Sequence, residues 1–252
     1  MPIFSPTSTA LATRKRYEPI PGEPGVWSTS YIGSRPSDKT APAAAEGELC
    51  PVAYLVESDA ETLIKPHFHM ADQFQLVVNG GGTFGPETLS APSFHYSSAY
   101  TTYGPIRAFD EGLGYLTLRN GWDAGARWMP EHRDLWRAAK RPRHEVVAHP
   151  VATSGIPLAQ LRASEQYAML ESDNGLAGVL YRLPPGGSAV GPVPALGRGQ
   201  YWVVMEGSVE HGGEVLELNS CIWVNPDESA YAPVAGAGGA EVIMLQFPKH
   251  AD

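Results

Sequence analysis

Cysteine is nearly absent from these 252 residues, with only Cys50 and Cys221 present. Two cysteines cannot staple a disulfide scaffold, and their separation is not that of a metal-binding pair. They read as free thiols of a reducing compartment, with a single bridge as the alternative. Long hydrophobic runs are missing too. No stretch of 18 apolar residues occurs, and no basic start with an apolar run opens the chain, so neither a membrane span nor a secretory leader is expected. Positive charge is scarce: 18 Lys and Arg stand against 27 Asp and Glu, a net charge of −9. Such a surface argues against nucleic-acid and anionic-membrane partners, and no helix-turn-helix pattern is evident. The expected location is the cytoplasm.

What is present is an ordinary globular composition, 43% apolar and 18% charged, long enough for one large or two modest domains. Prolines and glycines crowd residues 1–50, which excludes a long helix there. That segment reads as an extended arm with one strand around Val26–Ile32 and a mobile loop over Ser34–Gly47. Beyond Cys50, short strand-like runs alternate with Gly, Pro, Ser and Asn. They are Val52–Glu57, Phe74–Val78, Ser93–Ser97, Gly114–Arg119, Gly178–Leu183, Tyr201–Met205, Cys221–Val224 and Glu241–Phe247. One helix is predicted over Glu131–Lys140, with Leu135, Trp136 and Ala139 as its apolar stripe and Pro142 as its stop. The fold class is therefore all-β, interrupted by a short helix.

The two halves repeat each other. Gln73-Phe74-Gln75-Leu76-Val77-Val78-Asn79-Gly80 aligns with Gln200-Tyr201-Trp202-Val203-Val204-Met205-Glu206-Gly207 at an offset of 127. Tyr103-Gly104-Pro105-Ile106 aligns with Tyr231-Ala232-Pro233-Val234 at 128. Two ordered matches at nearly constant offset predict a duplicated β-unit.

His67-Phe68-His69 carries the chemistry. On a strand, residues i and i+2 project to one face with Cα atoms about 7 Å apart, so the two imidazoles can converge on one ion. Gln73 and then Gly80 follow. The spacing resembles the first motif of the cupin superfamily, which has two histidines one residue apart, a glutamate, and a glycine seven positions later. Here Gln73 takes the glutamate's place. Tyr103 falls nearest the histidine of the superfamily's second motif, and Tyr231 takes that place in the second half. Gly191-Pro192-Val193-Pro194-Ala195-Leu196 stands where a second histidine pair would be.

The resemblance covers roughly residues 50–120 and 175–248. It implies two tandem double-stranded β-helix (jelly-roll) barrels joined by the short helix. The corresponding divisions are an arm over 1–50, a first barrel over 51–125, a helical linker over 126–150 and a degenerate second barrel over 151–252. The chemistry belongs to the first, while the second serves packing and pocket formation.

The expected cofactor is one divalent transition metal, iron first, with nickel, manganese, copper or zinc as alternatives. His67 and His69 are its expected ligands, with Gln73 and His95 as candidates to complete the shell. Gln73 brings an amide oxygen without charge, or else only bonds within the wall as Gln200 would. His95 shares a face with Ser93 and Ser97, and lines the pocket if that face points inwards. Tyr103 is a ligand, a proton carrier or a structural phenol, and Asp72 is the nearest carboxylate if the motif slips by one residue. His95 and Tyr103 are the candidate catalytic groups. Gly80-Gly81-Gly82 reads as a hairpin turn, not a phosphate cradle, and the basic run Arg133–His144 as a solvated face.

The nearest basic residues along the chain are Lys65 and Arg107. Together with Phe68, Phe74, Phe94, Tyr96 and Tyr100, this suggests a partly apolar, uncharged or weakly acidic small substrate. Three readings follow: a mononuclear non-haem dioxygenase; a metal-dependent lyase or isomerase using Tyr103 or His95 for proton transfer; and a ligand-binding protein without catalysis. Strands apolar on both faces also allow a homodimer.

Overall fold

A computed structural model describes residues 1–18, 25–33 and 48–249. The predicted loop over 34–47 lies outside them. Strands in chain order are β1 (Ile3–Ser5), β2 (Lys15–Tyr17), β3 (Val26–Ile32), β4 (Val52–Ser58), β5 (Leu63–Ile64), β6 (His67–Phe68), β7 (Gln73–Phe84), β8 (Glu87–Ser90) and β9 (Phe94–Ser97). There follow β10 (Ile106–Arg119), β11 (Arg127–Trp128), β12 (Glu145–Ala148), β13 (Glu165–Glu171), β14 (Ala177–Leu183), β15 (Gln200–His211), β16 (Glu214–Glu217), β17 (Cys221–Val224) and β18 (Val234–Gln246). Two short α-helices, α1 (Thr7–Ala10) and α2 (Arg133–Ala138), accompany them. The strands pair antiparallel throughout, so the protein is all-β, and each predicted strand lies on an observed one, except that Ser93 falls just before β9 and Phe247 just past β18.

Two compact units divide the chain: residues 13–149, and residues 1–12 with 150–252. In the first, the sheet order is β12-β9-β7-β10-β4-β3-β2, with β8 on β7 and β5 on β10; β6 and β11 form a separate pair. In the second, the order is β1-β17-β15-β18-β14-β13, with β16 on β15. The shared order β9-β7-β10-β4-β3 and β17-β15-β18-β14-β13 is the duplication seen in the sequence. It extends to register: Gln73 faces Arg119 as Gln200 faces Gln246. A bulge falls at the same place in each sheet, around Val78 and around Met205. Each unit has its own core, built on Val56, Val77, Phe84 and Tyr115 in one and on Tyr181, Trp202, Val242 and Met244 in the other.

Three expectations change. The arm over 1–50 is not wholly extended: besides the expected strand at Val26–Ile32 it supplies β1, α1 and β2. The place beside β9 that β12 fills in the first sheet is filled in the second by β1, which pairs with β17. A three-residue edge strand between Pro2 and Pro6 is compatible with proline, because an edge has an unpaired side. The helix is six residues long and lies inside the first unit, so it does not link the two. The chain continues from it into β12, which returns to the same sheet.

The third change concerns the triglycine, which is no hairpin turn. Strand β7 runs through it to Phe84, and the turn follows at Gly85. Gly80 has φ +62°, and a Cβ there would collide with the carbonyl oxygen of Gly112. Glycine therefore lets two strands approach where any side chain would part them.

Candidate functional site

Strand β6 starts the site. His67 pairs with Tyr103 through both backbone bonds: His67 N–H donates to Tyr103 O at 3.2 Å, and Tyr103 N–H to His67 O at 3.1 Å. The tyrosine of the second motif is thereby fixed opposite the first histidine. Their rings lie 4.6 Å apart, and those of His67 and His69 5.2 Å apart. His69 lies one residue past the end of β6, its ring beside that of His67, and both are buried.

Each imidazole is anchored through Nδ1. That of His67 donates to the Lys65 carbonyl at 2.7 Å, and that of His69 to Asp123 Oδ2 at 2.7 Å. Burial, and then the neighbouring His69, lowers the pKa of His67 to about 3. Burial, and then Arg119, lowers that of His69. Both rings are neutral at physiological pH.

Gln73 does not face these rings with a free oxygen. Its Oε1 accepts from Arg119 Nε at 3.0 Å and Nη2 at 2.9 Å, while its Nε2 donates to the Tyr103 hydroxyl at 2.6 Å. Arg119 lies opposite Gln73 in register and is 1% exposed, as is its salt-bridge partner Asp123 at 3.0 Å. Its Nη2 also lies 3.0 and 3.2 Å from the two ring nitrogens of His69. A position nearly equidistant from both is over the ring, off the in-plane lone pair of Nε2. Burial alone would raise the Asp123 pKa, but His69 and Arg119 hold it well below the usual carboxylate range. Met70 N and Gly125 N also donate to Asp123, at 2.9 Å each.

His95 faces inwards and is fully buried, yet both ring nitrogens are engaged, Nδ1 with Gln75 Oε1 at 2.9 Å and Nε2 with Glu145 Oε1 at 2.8 Å. It sits behind Tyr103, 5.0 Å ring to ring, and Gln75 rather than His95 reaches the cavity. Asp72 holds the second-motif segment instead, accepting from Ala99 N at 2.9 Å and the Tyr96 hydroxyl at 3.0 Å.

Beside this cluster lies a cavity of about 180 Å³, walled by Tyr54, Val56, Tyr115, Thr117 and Trp128. The aromatic residues expected to form its walls do not: Phe68, Phe74, Phe94, Tyr96 and Tyr100 lie elsewhere. A substrate inferred from a lack of nearby basic groups also needs revision, since Arg119 is at the centre. Sequence reasoning missed Arg119, Asp123 and Gln75. One signal was present: Tyr115, Thr117 and Arg119 alternate along one strand, so a charge stood at an inward-facing position.

No protein family and no curated sequence matches the chain. Solved structures do. A protein of Nostoc punctiforme described as a putative dioxygenase aligns with 97% of this chain and 82% of its own, at TM-score 0.60 and 11% identity. The Escherichia coli pirin YhhW, in complex with nickel(II), aligns with 99% of this chain and all of its own, at 0.58 and 13%. A single-residue mutant of Bacillus subtilis oxalate decarboxylase OxdC aligns with 96% and 77%, at 0.57 and 9%. The chain thus shares its fold with these proteins, in keeping with the cupin fold that the histidine motif implied.

Proposed function

We propose that the cavity of residues 13–149 is the reaction site of an enzyme acting on a small organic molecule, with a divalent transition metal held by Nε2 of His67 and of His69. The observation that carries this reading is the anchoring of both Nδ1 atoms, to a carbonyl and a carboxylate. Metal-ligating histidines characteristically make that bond, which fixes the tautomer and leaves Nε2 as the donor. Both rings are also neutral, as ligation requires. The nickel(II) in pirin and the Mn(II) centres of oxalate decarboxylase support the reading by likeness of fold. The two sheets are, in this reading, tandem cupin units of which the second has lost its site.

The fit stops at two ligands. The oxygen of Gln73 is held by Arg119, and the nitrogens of His95 by Gln75 and Glu145. Among the described residues no group of three or more His, Cys, Asp or Glu converges on one point. A metal here would supply Lewis acidity and, if iron or copper, a route to dioxygen. The remaining roles belong to the chain. Arg119, balanced by Asp123, attracts an acidic oxygen of the substrate. The Tyr103 hydroxyl accepts from Gln73, and burial raises its pKa well above the usual value. It thus keeps its proton and donates it to a bound molecule. Tyr54, Val56 and Tyr115 exclude water. Dioxygenation of an enol or phenol is the reaction class we favour, with elimination or isomerisation through Tyr103 as the variant. Oxygen uptake separates them.

One observation favours a second reading, a ligand-binding protein without a metal. The guanidinium of Arg119 already lies over the ring of His69 and disfavours a further cation there. Elemental analysis of protein purified without added metal, beside His67→Ala and His69→Ala, decides. About one equivalent, lost in both folded variants, supports the metalloenzyme. No uptake of iron, nickel, manganese, copper or zinc overturns it.

A further inference from the structure

Gln75 on β7 and Thr117 on β10 face each other in register, two positions along from the pair of Gln73 and Arg119. Alternation sends all four side chains to the same face of the sheet. Gln75 and Thr117 line the cavity of the first unit, and each residue is only 2% exposed.

Side chains directly opposite on paired strands have Cβ atoms about 4.5–5.5 Å apart, close enough for an amide to meet a hydroxyl. These two do not bond to each other. Gln75 commits one end of its amide: its Oε1 is held by Nδ1 of His95 at 2.9 Å, and Nε2 of His95 is held in turn by Glu145 at 2.8 Å. The Nε2 of Gln75 and the hydroxyl of Thr117 have no hydrogen-bond partner among the described residues. Each atom keeps accessible surface, and in residues so deeply buried that surface belongs to the cavity. Polar groups buried to this degree are normally satisfied, so both await a partner from the cavity.

The chemistry of the pair selects its partner. An amide nitrogen only donates, a hydroxyl can donate beside it, and a carbonyl oxygen has two lone pairs to accept both. Given the reading above, in which Arg119 attracts an acidic oxygen into this cavity, we infer that Gln75 and Thr117 are a specificity-determining pair that binds a second, uncharged carbonyl oxygen of the substrate. The cavity then takes small acids that also carry a carbonyl group, with their apolar parts against Val26, Val56 and Ile64. His95 and Glu145 act through Gln75 as positioning residues, because they fix which end of its amide meets the ligand. No metal is needed for this contact.

Titration of the full chain with levulinate, a keto acid, and with pentanoate, which lacks the ketone, is the test. Levulinate should bind about tenfold or more tightly, two hydrogen bonds contributing about three- to tenfold each. It should also shift the side-chain amide signals of Gln75, assigned with Gln75→Leu, which pentanoate should leave in place. Thr117→Val keeps the branched shape and breaks no bond, so it should fold with unchanged thermal stability. It should bind pentanoate as before and lose one of the two factors. Equal affinity for the two acids, an unchanged preference in Thr117→Val, or Gln75 signals that levulinate leaves unmoved would overturn the role of the pair while leaving that of Arg119 intact. Binding of neither acid would overturn both, since the cavity would then take no acidic molecule.

Discussion

Arg119 and Gln246 are the same residue of a repeated unit. Each closes the long central strand of its sheet, each faces a glutamine in register, and each is hydrogen-bonded to that glutamine's side chain. One exchange of guanidinium for amide removes the cation from this position of the second unit.

The guanidinium depends on Asp123, since both are 1% exposed and 3.0 Å apart. Removing one partner of a buried ion pair leaves the other charge without solvent or counter-ion, a loss of about 3–5 kcal/mol. Asp123→Ala should lower the urea-unfolding free energy by that amount. A loss below about 1 kcal/mol in the single variant would show that the pair is not formed in solution.

Acid should destabilise the metal-free protein earlier than carboxylates alone would bring about. The imidazole of His67 titrates at about 3 when folded, depressed first by burial and then by His69, against about 6.5 when unfolded. Between these values the unfolded chain binds a proton that the folded chain refuses. Stability is therefore full above about pH 6.5 and is lost progressively as the pH falls towards 3. Unfolding free energies at pH 7.5, 6 and 5 should fall with a slope that is shallower in His67→Gln. An unchanged slope would mean that His67 is not held neutral.

Gly207 repeats Gly80 in the second sheet, with φ +70° and the Gly239 carbonyl where a Cβ would go. Gly213 also has positive φ, +84°, but no atom within 4 Å of that position. Gly213→Ala should cost only backbone strain, of order 1 kcal/mol, while Gly207→Ala should cost clearly more and lower the melting temperature further. Equal losses would show that the Gly239 carbonyl can move aside.

Strand β1 should protect the edge of the second sheet. Deleting residues 1–6 removes the pairing of Ile3–Ser5 with Trp223–Cys221 and the packing of Phe4 against the second core. Amide exchange at Cys221–Trp223 should accelerate while that of β7 and β10 stays unchanged. Slow exchange in the truncated chain would mean that β1 contributes nothing to the edge.

How far the sequence is legible differs by residue. The run from Gln73 to Gly80 and its copy from Gln200 to Gly207 carry the strand pattern and the repeat, because these are written in residues a few positions apart. The pairing of the two histidines is equally local. Arg119 and Asp123 are different, since they reach His69 and Gln73 only after strands about 50 positions apart are in register. The engagement of His95 with Glu145 is of the same kind, as is the use of β1 in the second sheet. Non-local pairing of this sort leaves no periodic trace in a single chain.

The placement of β1 also sets an order in time. Thr7, just beyond that strand, bonds to Ser220 across 213 positions of chain. At about 5–20 residues per second, the ribosome delivers this segment roughly 10–40 s before its neighbour. Residues 13–149 are complete well within that interval, so the first sheet can form while β1 still waits. The second sheet is then sealed from its far edge, by a segment made before either sheet.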